Sequence, residues 1–176
     1  AGQLVTRTLL QQGKKLVYAP DTHPALFQTA SDLPLLTYQE WTNRILERAK
    51  ATRYPLVFCC NAIDPLQLKC YHFDWLHELP KDRKFTLLLD DSHGIGITGK
   101  NGGGIHTLLS LPDHVELIVA ASLGKAFGIP AGVILSSETF IKQLKQSSFF
   151  GGASPASPAY LHAFLKVPSL FEQQRV

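Results

Sequence analysis

The sequence predicts an α/β fold, three-layer αβα, built around a mostly parallel sheet. Three observations carry this. Short apolar runs rich in β-formers recur along the chain, and they are continuous rather than alternating, as in strands covered on both faces. Helical stretches separate them, the pattern of βαβ units. With 176 residues, 45% of them hydrophobic and 18% charged, the chain can bury a real core and is too apolar for disorder.

In chain order, Thr6–Gln12 is expected as a helix, with Gly13 as its C-terminal stop. Leu16–Ala19 and Leu33–Thr37 read as strands. Tyr38–Thr52 is the clearest helix, because Trp41, Ile45, Leu46 and Ala49 share one face and charges occupy the rest. Leu56–Cys60, Phe85–Leu89, Val115–Ala121 and Gly132–Leu135 are further strands; Phe73–Leu79 and Glu138–Lys145 are shorter helices. Gly94–Gly104 and Phe149–Pro158, rich in Gly, Pro or Ser, are irregular.

Several function classes drop out. Seventeen basic against fourteen acidic residues leave a net charge of +3, scattered without an aromatic-interleaved patch, so no nucleic acid is expected as a partner. No apolar run approaches the roughly 18 residues of a membrane span, so no membrane is expected either. The three cysteines form no CxxC, which indicates neither a zinc site nor a disulfide framework and makes a reducing cytoplasm the expected setting. No metal is expected.

In α/β folds ligands bind at the carboxyl ends of strands. The segments there are Asp21–His23, Asn61–Asp64, Asp90–His93 and Ser122–Lys125. Gly94–Gly99 matches G-x-G-x-x-G literally, but several strands precede it and Lys-Asn-Gly-Gly-Gly follows where a helix should open, so a dinucleotide site is not favoured. A P-loop fails similarly, with Asn101 where Ser or Thr should hold Mg²⁺. Ser122 could be a serine-hydrolase nucleophile, yet Gly128, Pro130 and Gly132 leave no room for the long helix behind a nucleophile elbow. Asp90, closing an apolar strand, is part-buried and needs a partner. Lys125, among small and apolar residues, is expected to be desolvated, which would lower its pKa and make it nucleophilic. A lysine amine, a carboxylate, an imidazole and a hydroxyl at successive strand ends are what a pyridoxal phosphate enzyme requires.

Two segments carry a family resemblance. Asp90-Asp-Ser-His-Gly-Ile-Gly-Ile-Thr-Gly-Lys-Asn-Gly-Gly-Gly104 resembles the D-[DE]-[AS]-H-G-x-G-x-x-G-x-x-G-x-G signature of the α-oxoamine synthases, and Ser122-Leu-Gly-Lys-Ala-Phe-Gly-Ile-Pro-Ala-Gly132 resembles their lysine motif. The resemblance implies a fold type I pyridoxal phosphate enzyme with an aspartate aminotransferase-like large domain over residues 1–165, and residues 166–176 beginning the connection to a C-terminal small domain. The sequence is expected to be part of a longer chain. Lys125 would form the Schiff base, Asp90 would pair with the pyridine nitrogen, His93 would bond the phenolic oxygen, and Ser122 would reach the phosphate. Asp21-Thr-His23 is similar to the family's N-H-x-S segment, so His23 would stack on the ring. Ala1-Gly2-Gln3 is similar to its Ser-Gly-aromatic turn, so Gly2 and Gln3 would open a helix holding the phosphate.

The sequence departs from the family at Gln3, which replaces an aromatic, and at Pro24-Ala25 after His23. Near the phenolic oxygen the family's Ser has no clear match, and Asp64 or Asn61 falls there. The segment that reaches the neighbouring subunit's phosphate reads Gly151-Gly-Ala-Ser-Pro155. The implied activity is condensation of an amino acid with an acyl-CoA, in most members of the family with loss of CO₂, to give an amino ketone, in a homodimer. The same residues would serve an aminotransferase or another fold type I enzyme; a non-catalytic paralogue is the remaining alternative.

Overall fold

The computed structural model describes residues 1–26, 36–166 and 168–169. Helix α1 (Gly2–Gln11) leads through a turn at Gly13, φ +72°, into strand β1 (Lys15–Tyr18). Helix α2 (Tyr38–Ala51) opens on Thr37, whose hydroxyl accepts from the Glu40 N–H at 3.3 Å, while the Glu40 carboxylate accepts from the Thr37 N–H at 2.8 Å. This reciprocal capping box satisfies donors the first turn leaves free. Strand β2 (Leu56–Asn61) runs into a small antiparallel hairpin, β3 (Ile63–Asp64) and β4 (Lys69–Cys70). Strand β5 (Phe85–Asp90), the glycine loop, β6 (Val115–Ser122), β7 (Gly132–Leu135) and helices α3 (Glu138–Gln146), α4 (Ser148–Gly151) and α5 (Pro158–Lys166) complete the order.

The main sheet has five strands in the order β1-β2-β5-β6-β7. Its first four are parallel, and β7 joins antiparallel to β6. Leu87, Leu88 and Leu89 are all 0% exposed, so β5 is covered on both faces. Phe58, Leu87 and Leu89 pack with Trp41, Ile45 and Trp75 on one side. Val57, Leu88 and Ile118 pack with Val5, Leu9 and Phe140 on the other. Neighbouring strand residues thus feed opposite cores, each fully buried apolar side chain contributing about 1.5–3 kcal/mol. The result is the three-layer αβα arrangement, mostly parallel.

Some expectations need correction. Residues 33–35 of the expected strand Leu33–Thr37 lie outside the described residues, and its end, Thr37, caps α2. Phe73–Leu79 forms a short 3₁₀ turn, Asp74–Glu78, rather than an α-helix, with Trp75 and Leu76 of the turn and the flanking Phe73 and Leu79 all in the core. The first helix begins at Gly2 rather than Thr6, which brings its N-terminus to the sheet's carboxyl end. Residues 167 and 170–176, most of the expected connection, lie outside the described residues.

Candidate active site

The parallel register fixes where polar side chains gather. Asn61 pairs with Asp90, and Asp90 with Ala120, so β2 and β5 end level and β6 runs two residues further, to Ser122. Just beyond them lies a cavity of about 480 Å³, lined by residues that include Gly2, His23, Asp90, Ser92, Ser122 and Lys125.

Asp90 is half-buried at the cavity wall, and its Oδ1 accepts the Ser92 N–H at 3.0 Å. Lys125 Nζ lies 2.5 Å from His93 Nε2. Burial, and then the neighbouring Lys125 charge, hold His93 below the usual histidine pKa, with Asp90 pulling the other way. At neutral pH the imidazole is therefore uncharged and can accept a proton shared by the amine. His23 also lines the cavity, its Nδ1 accepting the Ala25 N–H at 3.1 Å and its own backbone N–H donating to Asn61 Oδ1 at 3.0 Å. The Ser122 hydroxyl accepts the Gly124 N–H at 3.2 Å. The N-terminus of α1 faces the same space through Ala1 and Gly2; among the described residues its first turn has no side-chain cap, and it carries the positive end of the helix dipole. A Cβ at Gly2 would lie 2.7 Å from Leu26 Cδ2, so glycine lets α1 approach the segment after His23.

The structure thus gathers Gly2, His23, Asp90, Ser122 and Lys125 around one cavity, with His93 joined through Lys125. Two expectations differ. Gln3 lines a separate shallow hollow with Arg7 and Phe149, because its place on the helix turns its side chain away. Lys125 is exposed rather than desolvated, since its neighbours Gly124 and Ala126 are too small to cover it. Neither Asn61 nor Asp64 lines the cavity. Asn61 holds the His23 strand end, while Asp64 Oδ1 accepts the Leu66 and Gln67 N–H groups at 2.8 and 3.0 Å and closes the β3–β4 turn.

Sequence reasoning passed over Ser92. Its hydroxyl accepts the Ser122 N–H at 2.9 Å and so ties the Asp90 strand end to the Ser122 strand end. A small hydroxyl residue between Asp90 and His93 was the available signal.

Residues 36–175 match the model of the family described as aminotransferase class I and II. The 8-amino-7-oxononanoate synthase of Hydrogenovibrio crunogenus is 28% identical over 153 residues, covering 83% of this chain and 38% of that protein. That of Vibrio vulnificus (strain CMCP6) is 26% identical over 171 residues, 91% of this chain and 42% of that protein. The chain therefore spans less than half the length of these relatives. The solved 8-amino-7-oxononanoate synthase of Francisella tularensis superposes with a TM-score of 0.69 at 20% identity over 99% of this chain and 52% of its own. The Sphingomonas wittichii serine palmitoyltransferase does so with a TM-score of 0.74 at 14% identity over 98% of this chain and 46% of its own.

Proposed function

The chain belongs to the aminotransferase class I and II family, and within it to the α-oxoamine synthases, fold type I pyridoxal phosphate enzymes; from that premise we propose that it is the cofactor-binding large domain of an acyltransferase joining an amino acid to an acyl-CoA. The observation that carries the reading is the Lys125 amine, 2.5 Å from His93, at a cavity whose walls also hold Asp90, His23, Ser122 and the α1 N-terminus.

This donor set fits pyridoxal phosphate. An amine, a carboxylate, an imidazole, a hydroxyl and a helix N-terminus surround a cavity of about 480 Å³, within the size of small-molecule pockets. When bound, the cofactor supplies an aldehyde that captures amines and an electron-withdrawing ring that stabilises negative charge on the neighbouring carbon. Lys125 would hold the cofactor through its amine and, with that amine free, would take the proton from the substrate α-carbon. His93, neutral at pH 7, accepts from the Lys125 amine and aims it, and it serves the phenolic oxygen. Asp90 keeps the ring nitrogen protonated, one oxygen steadied by Ser92. His23 covers the ring face, its plane fixed by Ala25. Ser122 and the first turn of α1, with Gly2 and Gln3, take the phosphate through hydroxyl and backbone N–H groups. The overall change would join the amino acid's α-carbon to the acyl carbon, break the thioester C–S bond with release of the CoA thiol, and lose CO₂ to leave an amino ketone. The active unit is a cytoplasmic homodimer. Among the described residues no helix is long and apolar enough to cross a membrane.

The test uses the full-length protein. Added pyridoxal phosphate should give a visible band that borohydride fixes on Lys125, read by peptide mass spectrometry; Lys125→Ala should give none. A label elsewhere, or no band in the wild type, overturns the cofactor reading. An amino acid and an acyl-CoA together should then release the free CoA thiol. Amino-group transfer to a keto acid without thiol release would replace acyl transfer by transamination.

A further inference from the structure

Three contacts join the segment Asp91–Gly104 to the lysine loop Ser122–Gly132. Ser92 Oγ accepts the Ser122 N–H, His93 meets Lys125, and Gly96 abuts Ala126 and Phe127. A Cβ at Gly96, where φ is +89°, would lie 2.7 Å from Ala126 Cβ and 3.0 Å from Phe127 Cζ. The two residues following Lys125 are thus backed by the glycine loop.

One side chain holds that loop. Asp91 is 1% exposed. Its backbone N–H donates to the Ala120 carbonyl at 3.0 Å, and its carbonyl accepts the Gly94 and Ile95 N–H groups at 3.0 and 2.9 Å. Its Oδ2 reaches across the loop to accept the Ile105 N–H at 2.9 Å. A Cβ at Gly94 would collide with Asp91 Oδ1 and one at Gly104 with Oδ2, so the loop closes on the carboxylate from both ends. Cross-ties from Gly96 N–H to the Gly102 carbonyl (2.8 Å) and from Gly104 N–H to the Thr98 carbonyl (2.9 Å) complete the knot.

We infer that Asp91 is a positioning residue: its buried carboxylate clamps the glycine loop to the end of β5, and the loop props the Ala126–Phe127 step that sets Lys125 beside His93. The inference rests on the reading of Lys125 given above.

The clamp is a costly way to anchor a loop. Asp91 Oδ1 is buried with no hydrogen-bond partner among the described residues. Burial, against the Ile105 N–H and with help from Asp90, pushes the carboxyl up to about 6. The nearby His106 Nδ1 is likewise buried and unpartnered among the described residues. Unsatisfied groups of this kind concentrate where geometry is held for chemistry.

The test compares full-length wild type, Asp91→Ala, Asp91→Asn and Ala126→Gly. In cofactor-free protein the acetylation rate of Lys125 against pH, read by peptide mass spectrometry, gives the midpoint of its amine; with pyridoxal phosphate the visible band gives a second midpoint. Asp91→Ala should shift the Lys125 midpoint by about one pH unit, which is tenfold in amine availability. Asp91→Asn, which keeps an oxygen for the Ile105 N–H, should restore it. A fall in Tm with both midpoints within about 0.2 unit of wild type would reduce Asp91 to a structural anchor and overturn the inference. If Asp91→Ala fails to fold, Ala126→Gly decides: it removes the methyl that abuts Gly96, and an unmoved midpoint overturns the inference equally. A midpoint that moves in a wild-type background lacking any visible band would sink the cofactor reading and leave the positioning role standing.

Discussion

Asn61 and Asp64 stand three positions apart at one strand end and act on different partners. Asn61, 5% exposed, takes the His23 N–H on its oxygen and gives its amide N–H to the Asp21 carbonyl. Asp64 gives both of its bonds to a local turn. Asn61→Ala should therefore cost about 1–3 kcal/mol, because it removes two part-buried hydrogen bonds to the backbone, and loosen His23, weakening pyridoxal phosphate binding by roughly tenfold. Asp64→Ala should cost about 1 kcal/mol and leave that binding unchanged. Urea denaturation and a cofactor titration by absorbance separate the two, and equal weakening of the cofactor would defeat the assignment. Both were visible in the sequence as polar residues after a strand, but what divides them was not. The register that sets Asn61 opposite Asp90, and the tight turn that closes on Asp64, exist only in the folded chain. Asp91 and Ser92 were hidden for the same reason, since their side chains bond residues 14 and 30 positions away.

Helix α2 shows how far local sequence reaches at the next scale. Its apolar stripe and its capping pair are encoded within a few residues, so its extent was legible to within one position: Tyr38–Thr52 expected, Tyr38–Ala51 found. The hairpin β3–β4 has two-residue strands, too short to show a period, and α5 has no buried side chain to make one. Neither could be read. The 3₁₀ turn at Asp74–Glu78 was mistaken for a helix because Phe73, Leu76 and Leu79 are all buried at a spacing of three, which a tight turn with its flanking residues serves as well as a helical face. The capping box gives α2 its fixed start, and Thr37→Ala removes the hydroxyl that accepts from Glu40. A loss of about 1 kcal/mol follows, seen as a lower thermal midpoint, with Thr37→Ser retaining most of the stability. An unchanged midpoint in Thr37→Ala would mean that tertiary packing alone holds the helix.

At the scale of the molecule, the sheet separates two cores, and this is what unbroken apolar strands announced in advance. The strand order β1-β2-β5-β6-β7 and the reversal of β7 were not announced, because apolar runs carry no direction. The separation has an energetic consequence. Ile45 on α2 belongs to the cluster with Phe58 and Leu87, whereas Ile118 on β6 belongs to the cluster with Val57 and Leu88. Both are nearly or fully buried, at 3% and 0% exposure. Ile45→Val and Ile118→Val should each cost about 0.5–1.5 kcal/mol, the usual loss for one buried methyl group. Since among the described residues no packed side chain is shared between the clusters, the double variant should lose the sum to within about 0.5 kcal/mol. Urea unfolding of the full-length protein followed by tryptophan fluorescence measures it, with Trp41 and Trp75 both in the first cluster. A coupling above about 1 kcal/mol would mean that strain crosses the sheet and that the two layers form a single mechanical unit. Additivity would leave the carboxyl edge of the sheet, where Asp90, Ser92 and Ser122 meet, as the place where the two layers act together.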